Sequence, residues 1–379
     1  MNSGYTASLE KLVKNYFIWD CWVHKEVQAN QIPVYHIYHL QAPRFQQDGS
    51  PYHPEARHNM ASVGHITATD LFDQSTWESL GTCFAPDTGN EDSPYNLAIW
   101  TGSMMPIEHP HLQKSLGASY VMAITGRTTK DEGLVQRLFF LISEDAYNWK
   151  ILFNSKEQIC QLDLSLINHP AYDWAREFWD NKEHQVLHCR DPKIMSHPNQ
   201  EGAYLILFTS YRAEAETREF TNGCVGVATS TDLINWEVQP PLNTPKILGK
   251  MELPQLVKSR DDWYLLVSCE NNIENKEYLE SLNVPYDSGG YAFRLQSAVD
   301  KQPGYLDLEG AWEYAGYWGG AGNQDGTPNL YAPTVADVIT KEDNTTEVIL
   351  IAWYGYTEDS EDREFQGTYK VYTVQLAQE

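Results

Sequence analysis

Residues 225–236 read VGVATSTDLINW, and the same construction returns as GHITATDLFDQSTW at 64–77, FFLISEDAYNW at 139–149 and GYLDLEGAW at 304–312. Each is an apolar run, a small or hydroxyl residue, an acidic residue in a turn, and then a Trp that opens the next run. Small polar side chains at such corners bond to their own backbone and hold the turn. The Trp positions, 77, 149, 236 and 312, step by 72, 87 and 76 residues. A period this long has room for about four short strands, which is the size of a propeller blade. A chain of 379 residues holds about five.

Working outward, the runs between these corners are strand-like: IPVYHIYHL, ASYVMAIT, RLFFLIS, AYLILFTSY, VGVATS, WYLLVS and EVILIAWYG. They are rich in β-branched and aromatic residues and are separated by Gly, Pro, Asn and Asp. Helical periodicity is confined to residues 5–16, and 170–183 (PAYDWAREFWDNKE) are expected to add a turn or two. A β-sandwich would also supply many strands, but it would not recycle one Trp corner. The expected fold is all-β: a five-bladed β-propeller with four antiparallel strands per blade. No linker or shift in composition divides the chain, so residues 1–379 read as one domain with an N-terminal helical extension over 1–16.

Against 27 Lys and Arg stand 52 Asp and Glu, a formal charge of −25. Such a field repels phosphate backbones and anionic lipid, which excludes nucleic acid and membrane surfaces as partners but leaves a neutral ligand untouched. No stretch approaches the ~20 apolar residues of a membrane span. The start, MNSGYTASLEKLVKNYFIWD, lacks a secretory signal's apolar core behind a basic end, so a cytoplasmic location is expected. There the Asn344-Thr345-Thr346 sequon carries no weight. Cys21, Cys83, Cys160, Cys189, Cys224 and Cys269 are widely spread and read as reduced thiols. His24, His36, His39, His58 and His188 have no metal-ligand spacing, His65 reads as a structural strand histidine, and no phosphate loop or nucleophile elbow is present. No cofactor or metal is expected.

Three carboxylates stand at blade-like intervals: Asp20 in FIWDCW, Asp191 in VLHCRDP and Glu252 in KMELPQLVK. The first strand of every propeller blade lines the central channel, so residues this distant converge. Two carboxylates flanking a sugar are the minimum equipment for cleaving a glycosidic bond.

Further motifs fall in order around these three. IWDCW (18–22) resembles the nucleophile motif of levansucrase-like family 68 glycosidases, and ASVGHITATDL (61–71) a segment common to families 32 and 68. IWTGS (99–103) is similar to the element beside the fructose ring, and CRDP (189–192) to the stabiliser motif. MELPQLV (251–257) resembles the acid/base motif of family 32, as DGTPNLYAPTV (325–335) and LIAWYGY (350–356) resemble its later elements. The chain therefore resembles the five-bladed fructose-specific glycosidases of families 32 and 68, which are related to family 43.

The resemblance implies a retaining hydrolase or transferase acting on β-fructofuranosides through a covalent fructosyl-enzyme. Asp20 would be the nucleophile, Glu252 the acid/base with its pKa raised, and Asp191 the stabiliser that accepts ring hydroxyls. It also implies sugar contacts from Trp19, Trp22, Trp100, Thr101, Arg190 and Tyr331. A family-43-like arabinofuranosidase or xylosidase, or a non-catalytic carbohydrate-binding propeller, would share this layout.

The chain also departs from both families. FIWDCW lacks the Asn-Asp-Pro-Asn of family 32 and sides with family 68, whereas the acid segment sides with family 32. Glu270 stands where levansucrase-like enzymes place a sucrose-binding Arg. The propeller is expected to consume the chain, leaving no C-terminal β-sandwich.

Overall fold

The computed structural model describes residues 5–27, 32–179, 182–213, 221–269, 276–284, 289–296, 301–319, 330–343, 345–354 and 369–376. Glu270, Asn344 and residues 325–329, 355 and 356 of the motifs above lie outside them. Helix α1 (Ala7–Asn15) forms where the 3.6 period predicted it, capped by the Thr6 hydroxyl on Leu9 N.

Five antiparallel sheets follow in chain order. Blade I is β1 (Tyr16–Val27), β2 (Pro33–Pro43), β3 (Ser62–Ala68) and β4 (Glu78–Phe84). Blade II is β5 (Ala98–Pro106), β6 (Tyr120–Arg127), β7 (Arg137–Ser143) and β8 (Lys150–Ile151), with the short β9 (Gln161–Leu162) also on β7. A separate hairpin comes next, β10 (Ala175–Trp179) with β11 (Lys182–Val186). Blade III is β12 (Arg190–Ser196), β13 (Tyr204–Tyr211), β14 (Gly223–Ser230) and β15 (Glu237–Gln239). Blade IV is β16 (Glu252–Ser259), β17 (Asp262–Cys269), β18 (Gly289–Leu295) and β19 (Trp312–Gly319). Blade V contributes three described strands, β20 (Leu330–Thr340), β21 (Thr346–Tyr354) and β22 (Tyr369–Leu376).

The hairpin overturns the helix expected within 170–183. Its residues pair from Ala175↔Val186 to Trp179↔Lys182. The aromatic pair at 178–179 favours strand, and the partner strand lies beyond the window in which helical periodicity was read.

The four repeated Trp residues do one job. Trp77, Trp149 and Trp236 immediately precede β4, β8 and β15, and Trp312 opens β19, so each starts the outermost strand of its blade. In blades II and III the corners match bond for bond. Ser143 accepts from Asp145 N and Ala146 N, and Asp145 accepts from Tyr147 N and Asn148 N. Ser230 and Asp232 repeat this with Leu233, Ile234 and Asn235. Ala146 and Leu233 take left-handed backbone there, at φ +61° and +64°.

Middle strands such as β7 and β13 are buried along almost their whole length. Neighbouring blades cover both faces, which is why RLFFLIS and YLILFTSY show no polar alternation. Apolar clusters fill the seams, with Phe208 between blades II and III, for example, and Phe293 between III and IV. The innermost strands close a ring, β1 against β5, β5 against β12, β12 against β16, β16 against β20, and β20 against β1.

Candidate active site

Each innermost strand breaks register at the same level: Trp19/Cys21, Trp100/Gly102, Arg190/Lys193, Glu252/Gln255 and Tyr331/Thr334. A bulge leaves a residue unpaired and re-aims side chains. Five at one level turn five sets of side chains out of the seams toward the channel mouth. On blades III to V the bulge has one form, a left-handed residue followed by proline. Asp191, Leu253 and Ala332 have φ of +52°, +48° and +53° and precede Pro192, Pro254 and Pro333. This conformation costs about 1–2 kcal/mol per non-glycine residue, and proline costs no ladder bond at an unpaired position.

The result is a closed circuit of contacts through all five blades. Asp20 accepts from Thr101 Oγ1 at 2.9 Å on Oδ2 and from Trp353 Nε1 at 2.8 Å on Oδ1. The Trp353 ring meets Tyr331 edge-on, with centroids 5.9 Å apart. Tyr331 OH donates a short hydrogen bond to Glu252 Oε2. Arg190 Nη2 donates to Glu252 Oε1 at 2.6 Å, and its Nε lies 3.3 Å from Asp191 Oδ2. Asp191 also accepts from Thr209 Oγ1 at 3.0 Å. Its backbone N–H donates to Thr125 Oγ1 at 3.0 Å, and Thr125 Oγ1 in turn donates to Thr101 O.

The charge states follow from this geometry. Burial pushes Asp20 up to about 6, helped by the charge of Glu252 and opposed by the Thr101 and Trp353 hydrogen bonds. Burial also raises Asp191, against the attraction of Arg190. Glu252 goes the other way. Burial pushes it up, but the charges of Arg190 and Lys250 and the Tyr331 hydrogen bond hold it below the usual carboxylate range. The raised pKa expected of Glu252 is thus corrected for the free enzyme: the guanidinium lies nearer Glu252 than Asp191, so Asp191 becomes the more readily protonated member of the pair.

Of the other site residues read from the sequence, Thr101, Arg190 and Tyr331 join the circuit. Trp100 is half-buried, its Nε1 donating to His58 O at 2.8 Å while Arg127 lies 4.3 Å over its ring. Trp19 is buried with Arg57 5.6 Å from its ring centroid, and Trp22 is buried and stacked on Tyr38. Trp22 lines a cavity in the channel together with Thr101, Asp191, Lys193 and Gln255. Trp353 was missed although LIAWYGY contains it, and Thr125, Gln136, Glu177 and Lys250 carried no signal. Gln136 Oε1 accepts from Arg190 Nη1. Among the described residues, no three His, Cys, Asp or Glu side chains group so as to hold a metal ion, and no helix is long and apolar enough to cross a membrane.

Propeller and carboxylate-lined mouth together define the class, a five-bladed β-propeller glycosidase. Residues 34–375 match the family described as Glycosyl hydrolases family 32 N-terminal domain, and the chain belongs to that family. The match covers Asp191 and Glu252 and begins after Asp20. Among solved structures the chain is similar to the inulosucrase from Halalkalicoccus jeotgali bound to kestose, at 18% identity and TM-score 0.61, covering 96% of this chain and 86% of that one. It is similar to Bacillus subtilis levansucrase at 12% identity and TM-score 0.57, covering 97% and 86%. A fructofuranosidase from Schwanniomyces occidentalis complexed with fructose matches at 13% identity and TM-score 0.55, covering 96% and 61%. None of the curated proteins matches the chain.

Proposed function

We propose that the protein cleaves or transfers β-fructofuranosyl groups, with retention, through a covalent fructosyl-enzyme on Asp20. The observation that carries this is the circuit itself. It holds one carboxylate on two neutral donors and, across the mouth, another between a guanidinium and a phenol, with a third beside that guanidinium. The kinds of protein it resembles in structure, an inulosucrase, a levansucrase and a fructofuranosidase, support fructose as the transferred sugar.

In this reading Asp20, ionised above about pH 6, attacks the anomeric carbon while Glu252 protonates the departing oxygen. Glu252 then takes the proton of water or of a sugar hydroxyl, whose oxygen breaks the bond to Asp20. Glu252 must therefore gain a proton once substrate is bound. Ring hydroxyls donating to Asp191 would favour its ionised form, and Asp191 and Glu252 share Arg190, so the proton passes to Glu252. Asp191 then serves as the negative charge beside the oxocarbenium-like transition state. The six cysteines stand as thiols, five of them buried, which supports a reducing, cytoplasmic setting.

Product analysis with sucrose, a short inulin-type oligosaccharide and levan tests this, with aryl pentosides in parallel. Free fructose or fructosyl oligomers are expected from the wild type. Glu252→Gln is expected to lower the rate by about 10²–10⁴-fold while sugar binding persists. Turnover of a pentoside alone refutes the fructose assignment, and indifference of all turnover to Glu252→Gln refutes the acid/base role.

A further inference from the structure

The hairpin β10–β11 belongs to no blade, and it leads through Leu187–Cys189 straight into Arg190, so it stands on the face of the propeller that bears the site. Its Glu177 reaches two neighbours at once. Oε1 lies 3.0 Å from His188 Nε2, just before the first strand of blade III. It also lies 3.2 Å from Lys250 Nζ, just before the first strand of blade IV. Glu177 therefore spans the seam between blades III and IV. In a ring of five blades that seam is opposite blade I, which carries Asp20.

A sugar held between Asp20 and Glu252 has its departing oxygen against Glu252. Whatever that oxygen belongs to must extend outward over the seam where Glu177 and Lys250 meet. These two side chains are only partly covered, with 22% and 38% of their surface exposed. Both contacts of Glu177 run through Oε1, and the Lys250 ammonium has donors to spare beyond its ion pair with Glu177. A carboxylate oxygen and an ammonium side by side, one accepting and one donating, match vicinal hydroxyls. At the base of the hairpin Trp174 is 41% exposed.

We propose that Glu177 and Lys250 form the acceptor subsite, where the leaving or accepting sugar is held by its vicinal hydroxyls. The assignment rests on the fructosyl-transfer reading above. It names a hairpin and a Lys–Glu pair as the feature that recognises that sugar.

The test compares Glu177→Gln and Lys250→Met with the wild type on two fructosides. One is sucrose; the other is an aryl β-fructofuranoside whose leaving group carries no hydroxyls. Losing a hydrogen bond to a charged group costs on the order of 2 kcal/mol, so kcat/KM on sucrose is expected to fall at least about tenfold more than on the aryl fructoside. The loss should appear mainly in KM, and the ratio of transfer to hydrolysis with sucrose as acceptor should drop. Equal losses on both substrates would assign the pair to positioning Glu252 and overturn the subsite, as would an unchanged KM for sucrose. A wild type inactive on both fructosides would instead remove the parent reading, an outcome visible before any variant is made. Glu177→Gln keeps size and shape, so it remains informative should Lys250→Met fail to fold.

Discussion

Trp353 is 333 residues from Asp20 in the chain, yet its indole N–H donates to Asp20 Oδ1 at 2.8 Å. Replacing it by Phe removes the donor while leaving an aromatic ring against Tyr331. A hydrogen bond to an ionised carboxylate contributes about 1.5–3 kcal/mol. Asp20 keeps its Thr101 donor in this variant, so the low end applies, and about 1.4 kcal/mol corresponds to one pKa step. Asp20 should therefore titrate near 7 in Trp353→Phe instead of about 6. The nucleophile acts as the anion, so activity rises with pH through this value and its acid limb should move up by about one unit. Near pH 5 the variant would retain roughly a tenth of wild-type kcat/KM, and near pH 8 it would converge on the wild type. Thr101→Val removes the other donor and should move the limb the same way, with the double variant moving it further. The assay is initial-rate fructoside turnover across the pH range. An acid limb that stays in place while the plateau falls would refute the reasoning and leave Trp353 as a wall of the pocket.

Gly102 follows Thr101 in its bulge, and a Cβ there would meet Ile124 Cγ2 at 2.4 Å and the Ala123 carbonyl oxygen at 2.6 Å. Gly102→Ala should cost about 1–3 kcal/mol, read as a lower Tm, and should lower kcat by displacing Thr101 from Asp20. Gly226→Ala, which would meet the Phe208 ring at 2.2 Å, should also lower Tm. Acid should also unfold the protein. Burial pushes His39 down to about 4, and His65, with the help of its His36 and His39 neighbours, to about 3. An unfolded histidine titrates near 6.5, so below that pH the unfolded chain binds protons that these two cannot. The stability they contribute is full above about pH 6.5 and is lost as pH falls toward their folded values. At about pH 5 the loss is on the order of 2 kcal/mol each, and the raised Asp20, which takes its proton in the folded state, returns part of it. Tm measured from neutral pH downward should fall, and His65→Gln should flatten the slope; a flat wild-type profile would contradict the argument.

The propeller was legible because its signals are local and repeated. A Ser–Asp–Asn–Trp corner needs only seven residues to satisfy its own backbone, so it leaves the same trace wherever an outermost strand begins. The hairpin 175–186 left no such trace. Its strands are set by pairing with each other, and a helical reading of 170–183 was locally as good. Trp353 sat inside a quoted motif, but nothing in that motif says which carboxylate it serves. The charge of Glu252 was misread for a related reason. Its apolar flanks, Met251, Leu253 and Pro254, argue for burial and a raised pKa, while the guanidinium that reverses the sign comes from another blade.

The site residues were identified as three unrelated motifs, and the structure makes them one. Arg190-Asp191-Pro192, Glu252-Leu253-Pro254 and Tyr331-Ala332-Pro333 each place a left-handed residue before proline on an innermost strand. In each, the residue before the left-handed one joins the hydrogen-bonded set Arg190, Glu252 and Tyr331. Only in blade III is the left-handed residue itself polar. Asp tolerates that backbone better than Leu or Ala does, so the same bulge there delivers two charged groups instead of one. Blades I and II bulge without proline, and the bulged residues, Asp20 and Thr101, bond to each other. Two kinds of bulge thus give two halves of a mouth, one bearing the anion poised to attack and the other the proton-handling pair.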